Sequence, residues 1–294
     1  MSGTALIVAR DLRVDVDGAV ALEATSFETR GGSVAIVGDG YGLLRAIAGN
    51  TPIRSGSLTV LGLDVGRREQ LGPATIGMAP LDPPLPARWT AEEYLVWGAR
   101  LAGVGRVSAR QSATATLAEL GLDKLARSAL ASLTLADRRV LVLAQAVVTR
   151  PAILVAAAPL SGLSGQDAGY VAAVLGAATV GRKWIVSLSN LYAGSEENVL
   201  AARADELLVF ASGRLVRQGK LQKIEEGTVG YTLMLRSRVA EFRDALQARG
   251  VQLSGGPQRF FVELPPEMKA QDLVALSAEV GAPLVELVPR ILLS

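Results

Sequence analysis

The residues best placed to do chemistry are a run of glycines, Gly38-Asp39-Gly40-Tyr41-Gly42, directly after the apolar segment Val34-Ala35-Ile36-Val37. Glycines at a strand-to-helix turn let backbone N–H groups approach phosphates closely. A working phosphate loop, G-x-x-x-x-G-K-[ST], also needs a lysine to neutralise charge and a hydroxyl to hold Mg²⁺. Here the run continues Leu43-Leu44-Arg45 and has neither. Asp39 adds a carboxylate that would repel incoming phosphates. Arg45 lies beyond the glycine run and is expected as an exposed helix arginine. A dinucleotide fingerprint, G-x-G-x-x-G, needs a small residue where Leu43 stands and an acidic residue ending the next strand, which is missing.

Composition narrows the remaining chemistry. The chain has no cysteine and no histidine, which excludes disulfides, thiolate and imidazole catalysis and the usual zinc ligands. Carboxylates, hydroxyls, lysines and backbone groups are left for any chemistry. A net charge of +2, with no basic stripe interleaved with aromatics, argues against nucleic acid as a partner. Half the residues are hydrophobic, but the longest apolar runs, Val140 to Val148 and Ile153 to Leu160, fall short of the roughly 18 residues of a membrane span. The N-terminus Met1-Ser2-Gly3-Thr4-Ala5-Leu6 has no basic segment leading into an apolar core, so a cytoplasmic location is expected.

The elements that must position these residues read as an α/β core. Ala5 to Val8, Leu12 to Val16, Val20 to Leu22 and Ser26 to Glu28 alternate as an antiparallel patch. Val34 to Val37 is a buried strand leading into a helix from Leu43. Ser57 to Val60 and Thr75 to Met78 are further strands, and the prolines at 80, 83, 84 and 86 then exclude regular structure. Helical spacing runs from Thr90 to Leu130 with breaks at Gly103 and Gly121. Helix Arg138 to Val148, strand Ile153 to Ala157, helix Gln166 to Ala178 and strands Trp184 to Leu188 and Glu206 to Phe210 imply a largely parallel sheet. After a short linker around Lys220 to Gly230, a strand at Tyr231 to Leu235, helix at Val239 to Arg249, strand at Phe260 to Leu264, helix at Met268 to Val280 and strand at Leu284 to Leu287 form a small α+β unit.

From Ala5 to Gly219 this order resembles ABC transporter ATP-binding domains. Specific matches are Val20-Ala21-Leu22 to Ser26-Phe27 before the phosphate loop, Gly56-Ser57-Leu58-Thr59-Val60-Leu61-Gly62, Pro159-Leu160-Ser161-Gly162-Leu163, and the closing hairpin Ser212-Gly213-Arg214-Leu215-Val216. The resemblance implies a domain at 1–226, with a helical subdomain at about 90–150, and a small α+β domain at 227–294. Carried onto this sequence, the family's nucleotide-contacting positions fall on the wrong residue types. The adenine-stacking aromatic falls at Val16, and the phosphate loop at Gly38, Gly40 and Gly42 is about four residues short. The metal-linking glutamine falls at Leu81, the Asp-Glu pair at Ala157 and Ala158, and the switch histidine at Ser189, followed by Asn190. The signature Leu-Ser-Gly-Gly-Gln reads Leu133-Thr134-Leu135-Ala136-Asp137, and Ser164 stands for the aspartate of the dimer-contact loop.

The expectation is a pseudo-ATPase: not an enzyme, with an architectural or regulatory role in an ABC transport complex. It would associate peripherally with the membrane through a permease subunit and pair with itself or another ABC subunit. The permease-facing surface is expected at the proline-rich loop, with Leu81, Leu85 and Trp89 as anchors; Leu81 and Leu85 filling the vacated pocket is the alternative. The C-terminal domain resembles the extension of ABC-2 type exporters, without its acidic, aromatic tail, the chain ending Val288-Pro289-Arg290-Ile291-Leu292-Leu293-Ser294. Two alternatives remain: an unconventional but active ATP-binding subunit, and a repurposed cytoplasmic scaffold.

Overall fold

The computed structural model describes residues 5–67, 75–189, 191, 194–225, 229–265 and 267–291. The first residues of the N-terminus, Asn190, the expected boundary at 226/227 and the last three residues of the tail lie outside them.

Two long strands, β1 (Ile7–Val16) and β2 (Ala19–Glu28), replace the four short ones expected. The chain stays extended because bulges between Ala9 and Leu12, and again before Val14, absorb the breaks in alternation. Asp11 and Ala24 take positive φ within these strands. With β4 (Ile53–Val60) and β5 (Leu63–Asp64) they form an antiparallel sheet in the order β2-β1-β4-β5. Its hairpins turn at Asp17-Gly18 and Leu61-Gly62, where both residues have positive φ, the geometry of a type I′ turn.

The central sheet has six strands: β3 (Ser33–Gly38), β6 (Ile76–Ala79), β7 (Ile153–Ala156), β8 (Lys183–Leu188), β9 (Glu206–Ala211) and β10 (Arg214–Gly219), in the order β10-β9-β3-β8-β7-β6. All neighbours are parallel except β9 and β10. The strands β3 and β7 are buried along their apolar lengths, as expected for a sheet covered on both faces. One face packs on the antiparallel sheet and α1 (Tyr41–Ile47), through Leu12, Leu22, Ile36, Leu43, Leu58, Val155 and Phe210. The other face packs on the helices α2 (Ala91–Leu101), α3 (Arg106–Glu119), α4 (Leu135–Val147) and α5 (Gly165–Thr179). Gly103 and Gly121, both at positive φ, end α2 and α3 as expected. Helix α6 (Glu196–Arg203) was not legible, because its eight residues carry only Leu200 and Ala201 inward.

The short helix α7 (Leu221–Glu225) leads towards a third sheet. Strand β11 (Val229–Leu235), helix α8 (Val239–Gln247), strands β12 (Gln252–Gly255) and β13 (Arg259–Glu263), helix α9 (Ala270–Val280) and strand β14 (Leu284–Ile291) follow. The sheet order β12-β13-β11-β14 is that of a split β-α-β. Leu233, Phe242, Leu246, Phe260, Val262, Leu273 and Leu276 form a core of their own. Strand β12 was missed; its pattern of one half-buried leucine among exposed residues gives little alternation to read.

Candidate functional site: the carboxyl edge of the central sheet

Parallel register sets most of the candidate residues on one edge. Val37 pairs with Leu188, so Gly38 and Ser189 leave their strands side by side, and Ala156 pairs with Val186 and Ala79. Ala157 and Leu81 therefore emerge from the same edge. Ligands of open α/β sheets bind outside this edge. Val16 sits away from it, half-buried at the end of β1 against the core.

The turn after β3 is only two residues, Asp39 and Gly40, before α1 begins at Tyr41. Its backbone is pressed into the protein. A Cβ on Gly38 would collide with the Phe210 carbonyl, and one on Gly40 would collide with Ile36 and the Phe210 ring. A Cβ on Gly42 would lie 2.8 Å from that of Ala21. These glycines serve close packing rather than an open anion cradle. The Asp39 N–H donates to the Phe210 carbonyl at 3.2 Å, and its carboxylate accepts from the Ser212 N–H at 2.9 Å. That pins the turn to the β9–β10 hairpin, whose own turn is Ser212-Gly213 at positive φ. Leu44 and Ile47 face the core as expected. Arg45 corrects the expectation of an exposed side chain: it is half-buried, its Nε donates to Thr51 Oγ1 at 3.0 Å, and its guanidinium lies 5.6 Å from the centre of the Tyr41 ring. The seven-residue helix is short enough that its last turn reaches Thr51, which follows it.

Beside this turn, Ala157 is buried and donates its N–H to the Ala79 carbonyl. Ala158 has φ +43, a left-handed conformation that costs a non-glycine residue roughly 1 kcal/mol. Its N–H donates to Ser187 Oγ at 2.8 Å. The strained position falls where the Asp-Glu pair would end, and no sequence signal marked it. Neither alanine offers a proton acceptor on its side chain.

Thr134 lies apart, at the N-cap of α4. Its Oγ1 accepts from the Asp137 N–H and lies 2.7 Å from the Asp137 carboxylate, which also accepts from the Thr134 N–H. This capping box explains why the helix begins three residues before the expected start. It also occupies the threonine hydroxyl. Tyr170 on α5 titrates above its ordinary value because of burial and, second, the charge of Asp137. Ser189 donates its N–H to Glu197 and lines a cavity of about 460 Å³ with Leu160 to Gly165, including Ser164, and with the start of α6.

The proline-rich loop after β6 is held differently. Arg139 on α4, only 5% exposed, donates to Asp82 at 2.7 Å and 3.4 Å and to the Ser161 carbonyl at 3.4 Å. Sequence reasoning missed this arginine; it reads as one of two neighbouring helix cations. Leu81 and Leu85 line a cavity of about 430 Å³ with Pro83, Pro84 and Arg138. Trp89, the third expected anchor, does not line it. Its ring packs edge-on to Trp97 at 5.5 Å, and both line a second cavity of about 890 Å³. The backbone separates the two cavities because the Trp89 carbonyl accepts from Leu130 and the Ala87 carbonyl from Ala131.

A family model described as ABC transporter matches residues 26–161. That segment is similar to the ABC transporter family. Solved structures share its fold. The ATP-binding cassette MJ1267 of an ABC transporter, in its ADP conformation, is 17% identical with a TM-score of 0.62, covering 75% of this chain and 92% of the cassette. The protein cbiO1 from Clostridium perfringens, part of the ABC transporter complex cbiONQ, is 18% identical with a TM-score of 0.63, covering 84% of this chain and 98% of its own. A dimeric post-hydrolysis state of the cassette MJ0796, bound to ADP and Pi, is 14% identical with a TM-score of 0.59, covering 73% and 98%. No curated protein matches the sequence. Among the described residues no helix is long and apolar enough to cross a membrane, and no cluster of acidic side chains suits a metal ion. The chain therefore shares the fold of these cassettes.

Proposed function

We propose that this cassette is a pseudo-ATPase subunit of an ABC-type transport complex, neither binding nor hydrolysing ATP. The observation that supports this best is the two-residue turn after β3, pinned by Asp39 to Ser212 and packed against Phe210. A loop of that length has no room for a ring of N–H donors around phosphates and supplies no lysine. Ala157 and Ala158 remove the metal-ordering and water-activating carboxylates, and the Thr134 hydroxyl serves the α4 cap.

The subunit's role is then architectural or regulatory. It takes the place of an ATP-binding subunit on the cytoplasmic face of a membrane, as a dimer with itself or another ABC subunit. A permease segment docks on the proline-rich loop at Leu81 and Leu85. The C-terminal split β-α-β is the extension that marks an ABC-2 type exporter.

Isothermal titration of the purified chain with Mg-ATP tests the first claim. No heat of binding is expected up to millimolar nucleotide, and micromolar affinity overturns it. Leu81→Asp with Leu85→Asp tests the second. Both side chains are at least partly exposed, so the fold survives while permease co-purification is lost.

A further inference from the structure

The cavity of about 890 Å³ between α2, α3 and the segment after residue 122 holds Trp89 but lies apart from the permease contact proposed at Leu81 and Leu85. It is lined by Trp89, Val96, Trp97 and Leu101 and rimmed by Arg100, Arg110 and Arg127. These arginines come from three different segments, yet no ion pair or hydrogen bond of their side chains occurs among the described residues. Two carboxylates also line the cavity. Glu93 is turned into the α2 capping box, accepting from the Thr90 N–H at 2.7 Å, which leaves Glu92 against three guanidiniums.

The apolar side is equally unusual for a surface. Trp97 is 44% exposed and Leu101, one helical turn on, is 68% exposed; Val107, at the start of α3, is 71% exposed. Arg106 and Arg110, also one turn apart, are exposed beside Val107. Arg88 is exposed next to Trp89. The α2–α3 hairpin thus presents an amphipathic aromatic and two aliphatic side chains within a ring of arginines. Tryptophan and leucine with flanking cations is the chemistry of a peripheral contact with a bilayer, where rings sit at headgroup depth and guanidiniums fork onto phosphates.

We propose that the α2–α3 hairpin binds anionic phospholipid directly, with Arg100, Arg110 and Arg127 on headgroup phosphates and Trp97, Leu101 and Val107 against the acyl boundary. The contact needs neither nucleotide nor permease. Protein-free vesicles of phosphatidylcholine, with or without phosphatidylglycerol, test it by flotation with the intact purified chain. The chain is expected to float with anionic vesicles and not with neutral ones, and to be released near 1 M salt, where the screening length is about 3 Å. Each arginine replaced by glutamine should lower partitioning about fivefold. Trp97→Ala with Leu101→Ser should lower it further at low salt. A triple variant Arg54→Gln, Arg67→Gln, Arg249→Gln, which changes the net charge equally on other elements, should float like the parent. All six arginines are exposed, so a thermal melt should show every variant folded. Failure to float, equal flotation with neutral vesicles, or an unaffected Arg100/Arg110/Arg127 variant overturns the proposal. Binding of poly-glutamate without binding of vesicles also overturns it, in favour of an acidic protein segment.

Discussion

The turn after β3 and the loop after β6 leave the same edge of the same sheet and have been treated oppositely. The first is two residues long, and the space above its glycines is filled by Phe210, Ile36 and Ala21. The second is rich in proline, opens on a cavity at Leu81 and Leu85, and is anchored by Arg139. Under the proposed function, the surface for a partner stays open while the surface for a nucleotide is closed. Leu44 and Ile47 are buried, as expected if the loop is shorter than the family's by about four residues, roughly one helical turn.

The sharpest way to break this comparison is to disturb the closed turn. Gly40→Val places a branched side chain into Ile36 and the Phe210 ring, and should cost about 3 kcal/mol or more in urea unfolding. A well-folded variant would mean that the turn is looser than its contacts indicate. Next in size, Asp82→Ala leaves the buried Arg139 with only the Ser161 carbonyl and should cost about 2 kcal/mol. Its effect should reach permease binding, because Asp82 adjoins Leu81. Thr134→Ala removes the α4 cap and should lower stability by about 1 kcal/mol, with no change in any nucleotide titration.

A smaller effect of opposite sign comes from the strained alanine. Ala158→Gly relieves a positive φ and should stabilise by about 0.5 kcal/mol once glycine's greater unfolded-state freedom is subtracted. Smallest is a spectroscopic effect. Burial raises the Tyr94 phenol above its ordinary value, and burial with Asp137 raises that of Tyr170. The neutral phenol is favoured in the folded state, so this contribution is complete below about pH 10 and is lost as pH rises through the folded values. In an absorbance titration, Tyr94→Phe and Tyr170→Phe should each remove a late-ionising tyrosine.

Much of this protein was legible in its residues. The apolar run Val34 to Val37 and the alternation of strands and helices specified a parallel core, since only a strand buried on both faces reads as continuously apolar. Gly103 and Gly121 ended helices, because their positive φ excludes most side chains. The missing lysine, carboxylates and histidine were equally plain, being statements about residue type.

The tertiary structure decided what fills the space they left. That Asp39 binds Ser212, that Arg45 folds back on Thr51 and Tyr41, and that Arg139 reaches Asp82 depend on residues 173, 6 and 57 positions apart, and none of these pairings was foreseen. Trp89 and Leu85 are four residues apart yet face different cavities, because backbone hydrogen bonds to Leu130 and Ala131 pass between them. Residue type limits which chemistry is possible, whereas contacts between segments distant in sequence are fixed only when the whole chain packs.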